Sequence, residues 1–416
     1  MLSYEEALVQ ILERANPLPE QELPLDQLFG CVLGEPLRAP FQLPQFDSSA
    51  VDGFGVMLSD TESASEQKPV RLKLTGEIQA GSKGDLALTP GCAIKILTGG
   101  IVPETVDAVV MREYCTENNG GVDIAYAPSP GENVRRSGSE FEEGVEVLPE
   151  GMRVTPPVVG MLATLGYAKF AVHRRPRLAI VTTGDELIKP GQPLGPGQIY
   201  DSNSYALKAA IRELGIDECK SYFANDTKES TMQAFKQAFE DSDVIISGGG
   251  VSVGDYDFVK DVLEEMGVQT VFWRIAMKPG KPVYFGVLEA SAKHPQARSH
   301  LVFGLPGNPV SVLVTFHQLV RPALLKMMGS SIEAVPHRVT ATLRGTLKKK
   351  PGRLDFVRGH LRVVESGHLE VTPTRGQESN MMSGLARANS LIHFPAEAER
   401  LDDGAQVTAD VLTWWD

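Results

Sequence analysis

The chain has few cysteines and keeps them apart. Cys31, Cys92, Cys115 and Cys219 show no C-x-x-C spacing, so no dithiol redox motif or cysteine metal site is read. Reduced, buried thiols are expected, as in a cytoplasmic protein. The eight histidines are scattered, with no H-E-x-x-H pair, which argues against a zinc site. No apolar run is long enough to span a membrane, and no signal-peptide core is read at the start. Ser3-Tyr4-Glu5-Glu6 reads instead as a capping box opening an amphipathic helix through Ala15. A basic excess is lacking too. The net charge of -13 disfavours broad binding to nucleic acid or an anionic membrane, though it leaves room for a local basic pocket. Neither nucleotide fingerprint, G-x-G-x-x-G or a glycine loop ending in Lys-Ser/Thr, is present.

What is there is ordinary globular material, 42% hydrophobic and 22% charged over 416 residues, enough for roughly two to four domains. Past the first helix come prolines, a second helical stretch near Leu25 to Leu33, and an extended Pro-rich run to Asp52. Short alternating segments from Val70 to Val147 predict a β-rich insert. From Arg177 onward strand and helix patterns alternate, which predicts a doubly wound α/β domain with a parallel sheet. It closes on a long apolar helix, Val310 to Met328. Strands return near Pro336. The expected fold class is thus multidomain α/β plus β. Residues 1–46 and 147–173 form an N-terminal linker or helical domain, and 47–146 the insert. Residues 174–330 form the α/β domain, and 336–416 a β-barrel-like C-terminal domain.

The densest signal is Ser247-Gly248-Gly249-Gly250-Val251-Ser252-Val253-Gly254-Asp255-Tyr256-Asp257, between a buried-strand pattern and a helical one. Glycines let backbone N–H groups approach an anion, and a helix start favours negative charge. The glycines alone fit an ordinary tight turn equally well. Asp255 and Asp257 would repel a bare phosphate, so a bridging cation is the natural complement. Other strand-end motifs meet this loop at one edge if the sheet is parallel. They are Thr182-Thr183-Gly184-Asp185-Glu186-Leu187, Asn225-Asp226-Thr227, Met277-Lys278-Pro279-Gly280-Lys281-Pro282 and Gly304-Leu305-Pro306-Gly307-Asn308-Pro309. Together they offer carboxylates, lysines and N–H donors, a set suited to a phosphorylated organic ligand with Mg²⁺. Outside that domain lie Ser49-Ala50-Val51-Asp52-Gly53-Phe54, Leu97-Thr98-Gly99 and the adjacent Arg135 and Arg136. A guanidinium pair suits an anion, and a surface turn explains it as well.

Taken in order, these segments resemble the molybdopterin molybdenumtransferases, the family of bacterial MoeA and the gephyrin E domain. Each is weak alone and the ordered set is specific, running from the first helix to the last strand. The resemblance implies insertion of molybdenum from molybdate into adenylylated molybdopterin with release of AMP and a requirement for Mg²⁺. It also implies a homodimer whose site joins the α/β domain of one subunit to the Asp52 region of the other. Contact with the molybdopterin adenylyltransferase and with cofactor-receiving enzymes is a further implication. By position, Asp52, Glu186, Asp257 and Lys278 match catalytic residues. Thr98, Arg135, Thr183, Gly184, Asp226, Ser247, Gly249, Gly250, Ser252, Gly254, Lys281, Pro306, Pro309, Arg358 and Ser379 match binding positions. Asp226, Asp255 and Asp257 are the candidates for the cation. Arg274 departs from the pattern, standing where a lysine is expected.

Overall fold

The computed structural model describes residues 1–249, 258–289, 299–330 and 337–412. The chain forms two compact units. One comprises residues 36–149 with 164–166, and the other the rest.

The smaller unit is built on a six-stranded sheet. Its strands are β1 (Gly53–Val56), β2 (Val70–Ile78), β3 (Cys92–Ile96), β4 (Ala108–Met111), β5 (Cys115–Asn118) and β6 (Gly121–Ile124). They lie in the order β4-β1-β3-β2-β6-β5, antiparallel except for the β2–β3 pair. Apolar residues crowd both faces. Phe54, Leu72, Ala93, Val110 and Val122 form one cluster, and Ile78, Ile94, Ile96 and Val109 another. Gly53 is forced by packing: a Cβ there would lie 2.2 Å from the Val110 carbonyl oxygen.

The larger unit opens with α1 (Tyr4–Arg14). The capping box is formed: Ser3 Oγ accepts from the Glu6 N–H at 3.1 Å, and Glu6 Oε2 accepts from the Ser3 N–H at 2.8 Å. Tyr4, Ala7, Leu8 and Ile11 are buried, the i, i+3, i+4, i+7 stripe of a helix with one face on a core. The predicted helix near Leu25 to Leu33 is only a 3₁₀ turn, Leu25–Gln27. Gly30, at φ +77°, takes the left-handed conformation that ends a helix rather than continuing it.

The α/β core contains β7 (Leu178–Thr183), α2 (Asn203–Glu213), β8 (Cys219–Ala224), α3 (Lys228–Asp241), β9 (Val244–Gly248), α4 (Val259–Glu265), β10 (Gln269–Trp273), β11 (Tyr284–Leu288), β12 (His300–Leu305), α5 (Pro309–Thr315) and α6 (Arg321–Met327). The strand order is β8-β7-β9-β12-β11-β10. β8, β7, β9 and β12 are mutually parallel. The sheet is not wholly parallel as expected. β11 runs antiparallel to both β12 and β10, so β10 points the same way as β12. Its following loop therefore emerges at the same edge as the other motifs, beyond β11. β7, β9 and β12 are almost completely buried, as strands covered on both faces must be. One face packs on α1, α2, α5 and α6, and the other on α3 and α4. Each fully buried side chain such as Phe303 or Phe235 contributes about 1.5–3 kcal/mol. The long apolar helix predicted to Met328 is interrupted by a π turn at Phe316–Val320. Pro322 follows it, and its ring offers no N–H to the carbonyl of Gln318.

The C-terminal strands are β13 (Arg338–Leu343), β14 (Leu354–Val363), β15 (Leu369–Pro373), β16 (Ser390–Phe394) and β17 (Gln406–Val411). They run β14-β15-β13-β17-β16, and a β14–β16 pairing closes the ring. The result is a five-stranded barrel filled by Ala341, Leu343, Val371, Ile392 and Phe394. Closure leaves no edge strand to aggregate. No helix among the described residues is long and apolar enough to cross a membrane.

Candidate active site

The carboxyl ends of β7, β8, β9 and β12 open into a cavity of about 740 Å³. Thr183, Gly184, Glu186, Asp226, Gly249, Pro306 and Pro309 line it, together with Asp201, Asn203, Asn308 and Asn380. Ligands of doubly wound sheets sit in this crevice.

Local chemistry fixes each lining group. Gly184 has φ +139°, and a Cβ there would lie 2.7 Å from Glu186 Oε2. Glycine thus allows the Glu186 carboxylate to fold back over the turn. The Asp185 N–H donates to Asp226 Oδ2 and the Asp226 N–H to Asp185 Oδ1, both at 3.3 Å. These reciprocal bonds clamp the loop after β7 to the loop after β8. Gly249, at φ +110°, donates its N–H to the Leu305 carbonyl at 3.1 Å. The Ser247 hydroxyl is fully buried and donates to the Gly249 carbonyl at 2.8 Å. Ser247 therefore shapes the loop from below and does not line the cavity. Asn203 Nδ2 donates to the Gly307 carbonyl at 2.8 Å, and Asp201 caps α2 by accepting from the Ser204 N–H at 3.0 Å.

Gly250, Ser252, Gly254, Asp255 and Asp257 lie outside the described residues. Among the described residues no group of three or more His, Cys, Asp or Glu is gathered closely enough to hold a metal by itself. The donors that do face the cavity, Glu186, Asp201 and Asp226, offer oxygen alone. That is the donor type Mg²⁺ takes, and it usually binds through one or two carboxylates, completing its shell with water and substrate phosphates. The residues fit a cation that arrives with a phosphorylated substrate.

The two lysines of the β10 loop are not among the cavity-lining residues, although Pro282 is. Both are exposed, and Lys278 Nζ lies 3.4 Å from Asp355 Oδ2. Two strands separate β10 from β9 in the sheet, which explains the displacement. Arg274 has φ +77° and its guanidinium lies 4.2 Å from the centre of the Trp273 ring.

Of the C-terminal positions, Ser379 reaches the cavity's rim through the lining residue Asn308, and Arg358 is not among the lining residues. Ser379 Oγ accepts from Asn308 Nδ2 at 3.0 Å, and its carbonyl accepts from the Val310 N–H at 3.2 Å. Arg358 on β14 is 1% exposed. Its Nη2 donates to the carbonyls of Gly376 (2.8 Å) and Glu378 (3.3 Å), while its Nε finds no hydrogen-bond partner among the described residues. Asn203, Asp201 and Asn380 were missed by the sequence reading. Asn308 lay inside a quoted motif, but no signal marked it as the link to Ser379.

A second cluster lies in the smaller unit and is described by itself. Asp52 Oδ1 accepts from the Thr98 N–H at 2.8 Å and from the Thr98 hydroxyl at 2.7 Å. The backbone bond, then the hydroxyl bond, hold its pKa below the ordinary carboxylate value against a small opposing effect of burial. Asp52 is exposed and ionised near neutrality. Arg135 is exposed on a short strand paired with Ser48–Ser49. Arg136 is tied to Asp47 Oδ2 at 2.5 Å, so the two guanidiniums are not an equivalent free pair.

A doubly wound α/β domain with a strand-end cavity, joined to a closed β-barrel, defines the class. Comparison with known proteins identifies the family. Residues 2–166 match the MoeA N-terminal region (domain I and II), residues 179–326 a probable molybdopterin binding domain, and residues 340–412 the MoeA C-terminal region (domain IV). A molybdopterin molybdenumtransferase from Haemophilus influenzae is 37% identical over 99% of this chain and 98% of its own length. One from a Nostoc species is 34% identical over 91% and 85%. A solved molybdopterin biosynthesis MoeA protein from Pyrococcus horikosii superposes with a TM-score of 0.79 at 32% identity, covering all of both chains. The chain belongs to the molybdopterin molybdenumtransferase family, transferases of molybdenum cofactor biosynthesis.

Proposed function

We propose that the protein inserts molybdenum from molybdate into adenylylated molybdopterin and releases AMP, with Mg²⁺ as the assisting cation. The observation that carries this reading is the strand-end cavity, where Thr183, Gly249, Glu186 and Asp226 line one space. The substrate is a two-ended organic molecule with a pyrophosphate between its ends, and molybdate is an oxyanion. Thr183, Gly184, Gly249, Pro306 and Pro309 shape the cavity around the substrate, and Asp226 and Glu186 face its polar edges. Gly250, Ser252, Gly254 and the acids Asp255 and Asp257 belong to the same loop motif and are assigned to binding and to the cation on that basis. Asp226 would hold Mg²⁺ with them; when bound, the ion would neutralise charge on the phosphoanhydride.

Asp52, kept ionised by Thr98, orients or deprotonates the water that cleaves the phosphoanhydride. Lys278 and Lys281 attract the oxyanion, Ser379 adds to the polar rim, and Arg358 supports that rim from within by holding the Gly376 and Glu378 carbonyls. Arg135 contributes positive charge on the Asp52 face. We also assign the protein to the cytoplasm as a homodimer that exchanges ligands with the adenylyltransferase and with cofactor-receiving enzymes. A four-part division at 1–46 with 147–173, 47–146, 174–330 and 336–416 accompanies this reading.

The test is AMP release from purified protein given adenylylated molybdopterin, with and without molybdate and Mg²⁺, with molybdenum counted in the product. Molybdate-dependent AMP release with stoichiometric molybdenum supports insertion. Substrate binding by the folded protein without AMP release would replace it with a carrier or scaffold role.

A further inference from the structure

We propose that Asp355 is a positioning residue that presents Lys278 to the incoming oxyanion, with Lys349 balancing its charge from beneath. The inference rests on the function proposed above and adds two residues to it.

The backbone brings these groups together. Met277–Lys278 pairs in parallel with Leu354–Asp355 at the start of β14, and the Leu354 N–H donates to the Ala276 carbonyl at 3.0 Å. Asp355 is thereby set beside Lys278 by strand register rather than by side-chain chance. The acid is 8% exposed, and its two oxygens face two different cations. Lys278 Nζ lies 3.4 Å from Oδ2 and Lys349 Nζ 3.7 Å from Oδ1.

The two lysines differ sharply. The Lys349 side chain is 5% exposed, donates to the Arg353 carbonyl and stands 4.9 Å from the centre of the Phe394 ring. It is built into the barrel. Burial lowers its pKa, and the nearby Asp355 carboxylate opposes that shift. The Lys278 side chain is 55% exposed. A buried acid needs a permanent counter-charge, and Lys349 supplies it. Lys278 is then the exchangeable partner. It is held loosely, because an exposed ion pair is weak, yet it is kept near one position while its ammonium stays open to solvent. A tetrahedral dianion meets a lysine already placed, and the entropy of fixing a long side chain has been spent in advance.

The experiment measures the molybdate concentration giving half-maximal AMP release for the unaltered protein, Asp355→Asn, Asp355→Glu, Lys278→Ala and the Lys278→Ala/Asp355→Asn double variant. Equilibrium dialysis of molybdate and thermal unfolding accompany each. Asp355→Asn is expected to raise half-saturation by about 1.5- to fivefold, the range an exposed ion pair supports, with the maximal rate changed by less than about twofold. Asp355→Glu should restore most of the loss. In the Lys278→Ala background, Asp355→Asn should add nothing to half-saturation, since the acid acts through that lysine. A merely structural acid would lower the melting temperature and leave half-saturation untouched, or add its effect fully in the double variant, and either result overturns the proposal. If Asp355→Asn fails to fold, Asp355→Ser, which also removes the carboxylate, takes its place, and unchanged half-saturation there overturns the proposal as well. If the unaltered protein neither binds molybdate nor releases AMP, the proposed function falls and this inference with it. If it does both while Asp355→Asn behaves like it, only the positioning role falls.

Discussion

Asp410→Asn tests how the barrel is held to the α/β core. Asp410 lies on β17 with its side chain fully buried. Its Oδ2 accepts from Gln318 Nε2 at 2.8 Å and from His393 Nε2 at 2.7 Å, and its Oδ1 from Arg338 Nε at 3.2 Å. Gln318 in turn accepts from the Tyr4 hydroxyl at 2.9 Å. One carboxylate therefore links α1, the π turn and the barrel. Burial alone would raise its pKa, but the His393 and Gln318 bonds and the Arg338 charge outweigh burial and hold it below the ordinary value. Removing one partner of a buried ion pair costs about 3–5 kcal/mol. Arg338 is 39% exposed and can rehydrate, so the lower end, about 3 kcal/mol, is expected here. At about 2–4 °C per kcal/mol for a domain of this size, the midpoint should fall by about 6–12 °C. A lowered acid pKa contributes stability above its unfolded value of about 3.9 and loses it as pH falls through the folded value. The gap between the two proteins in thermal unfolding should thus be full at pH 7 and shrink below about pH 4. A variant within about 1 kcal/mol of the parent at pH 7, or a gap that does not change with acid, would refute the reasoning.

Asp52→Asn should fold with an unchanged melting temperature and lose most AMP release, and full turnover in that variant removes Asp52 from the chemistry. Thr98→Val deletes the hydroxyl bond to Asp52 but keeps the backbone one, so the carboxyl pKa rises. The acid limb of the rate–pH profile should move to higher pH, and an unmoved limb would show that Asp52 does not set it. Gly329→Ala combines a left-handed position, φ +84°, with a Cβ only 2.0 Å from His173 Cδ2. His173 is held by Nδ1 at 2.8 Å from the Leu18 carbonyl. Strain and overpacking together predict a loss of about 2–5 kcal/mol in denaturant unfolding, and a loss below about 1 kcal/mol would mean that the ring moves freely.

The order of elements was legible because local chemistry states it. The capping box at Ser3 and the apolar runs at Leu178 and Val244 each specify their own structure without distant help. β11 was missed: Tyr284–Leu288 follows directly on the Lys278 loop, with only Val283 between it and Pro282. A sequence pattern also carries no sign of strand direction, so the reversal of β11 was invisible. Glu186, Asp226 and the cavity's glycines were found because they sit in motifs at strand ends, where a parallel sheet must gather them. Asn308 and Ser379 were different. Their contact spans 71 residues, and neither residue type announces a partner. The same holds for Asp355. Read alone, an acid in a strand pattern is a solvated charge. Only the parallel pairing of Met277–Lys278 with Leu354–Asp355 turns it into a buried counter-ion, and only the burial of Lys349 on its other side makes Lys278 the partner free to turn toward an anion. Site composition follows from local motifs, whereas the placement of each charge depends on register between elements far apart in sequence.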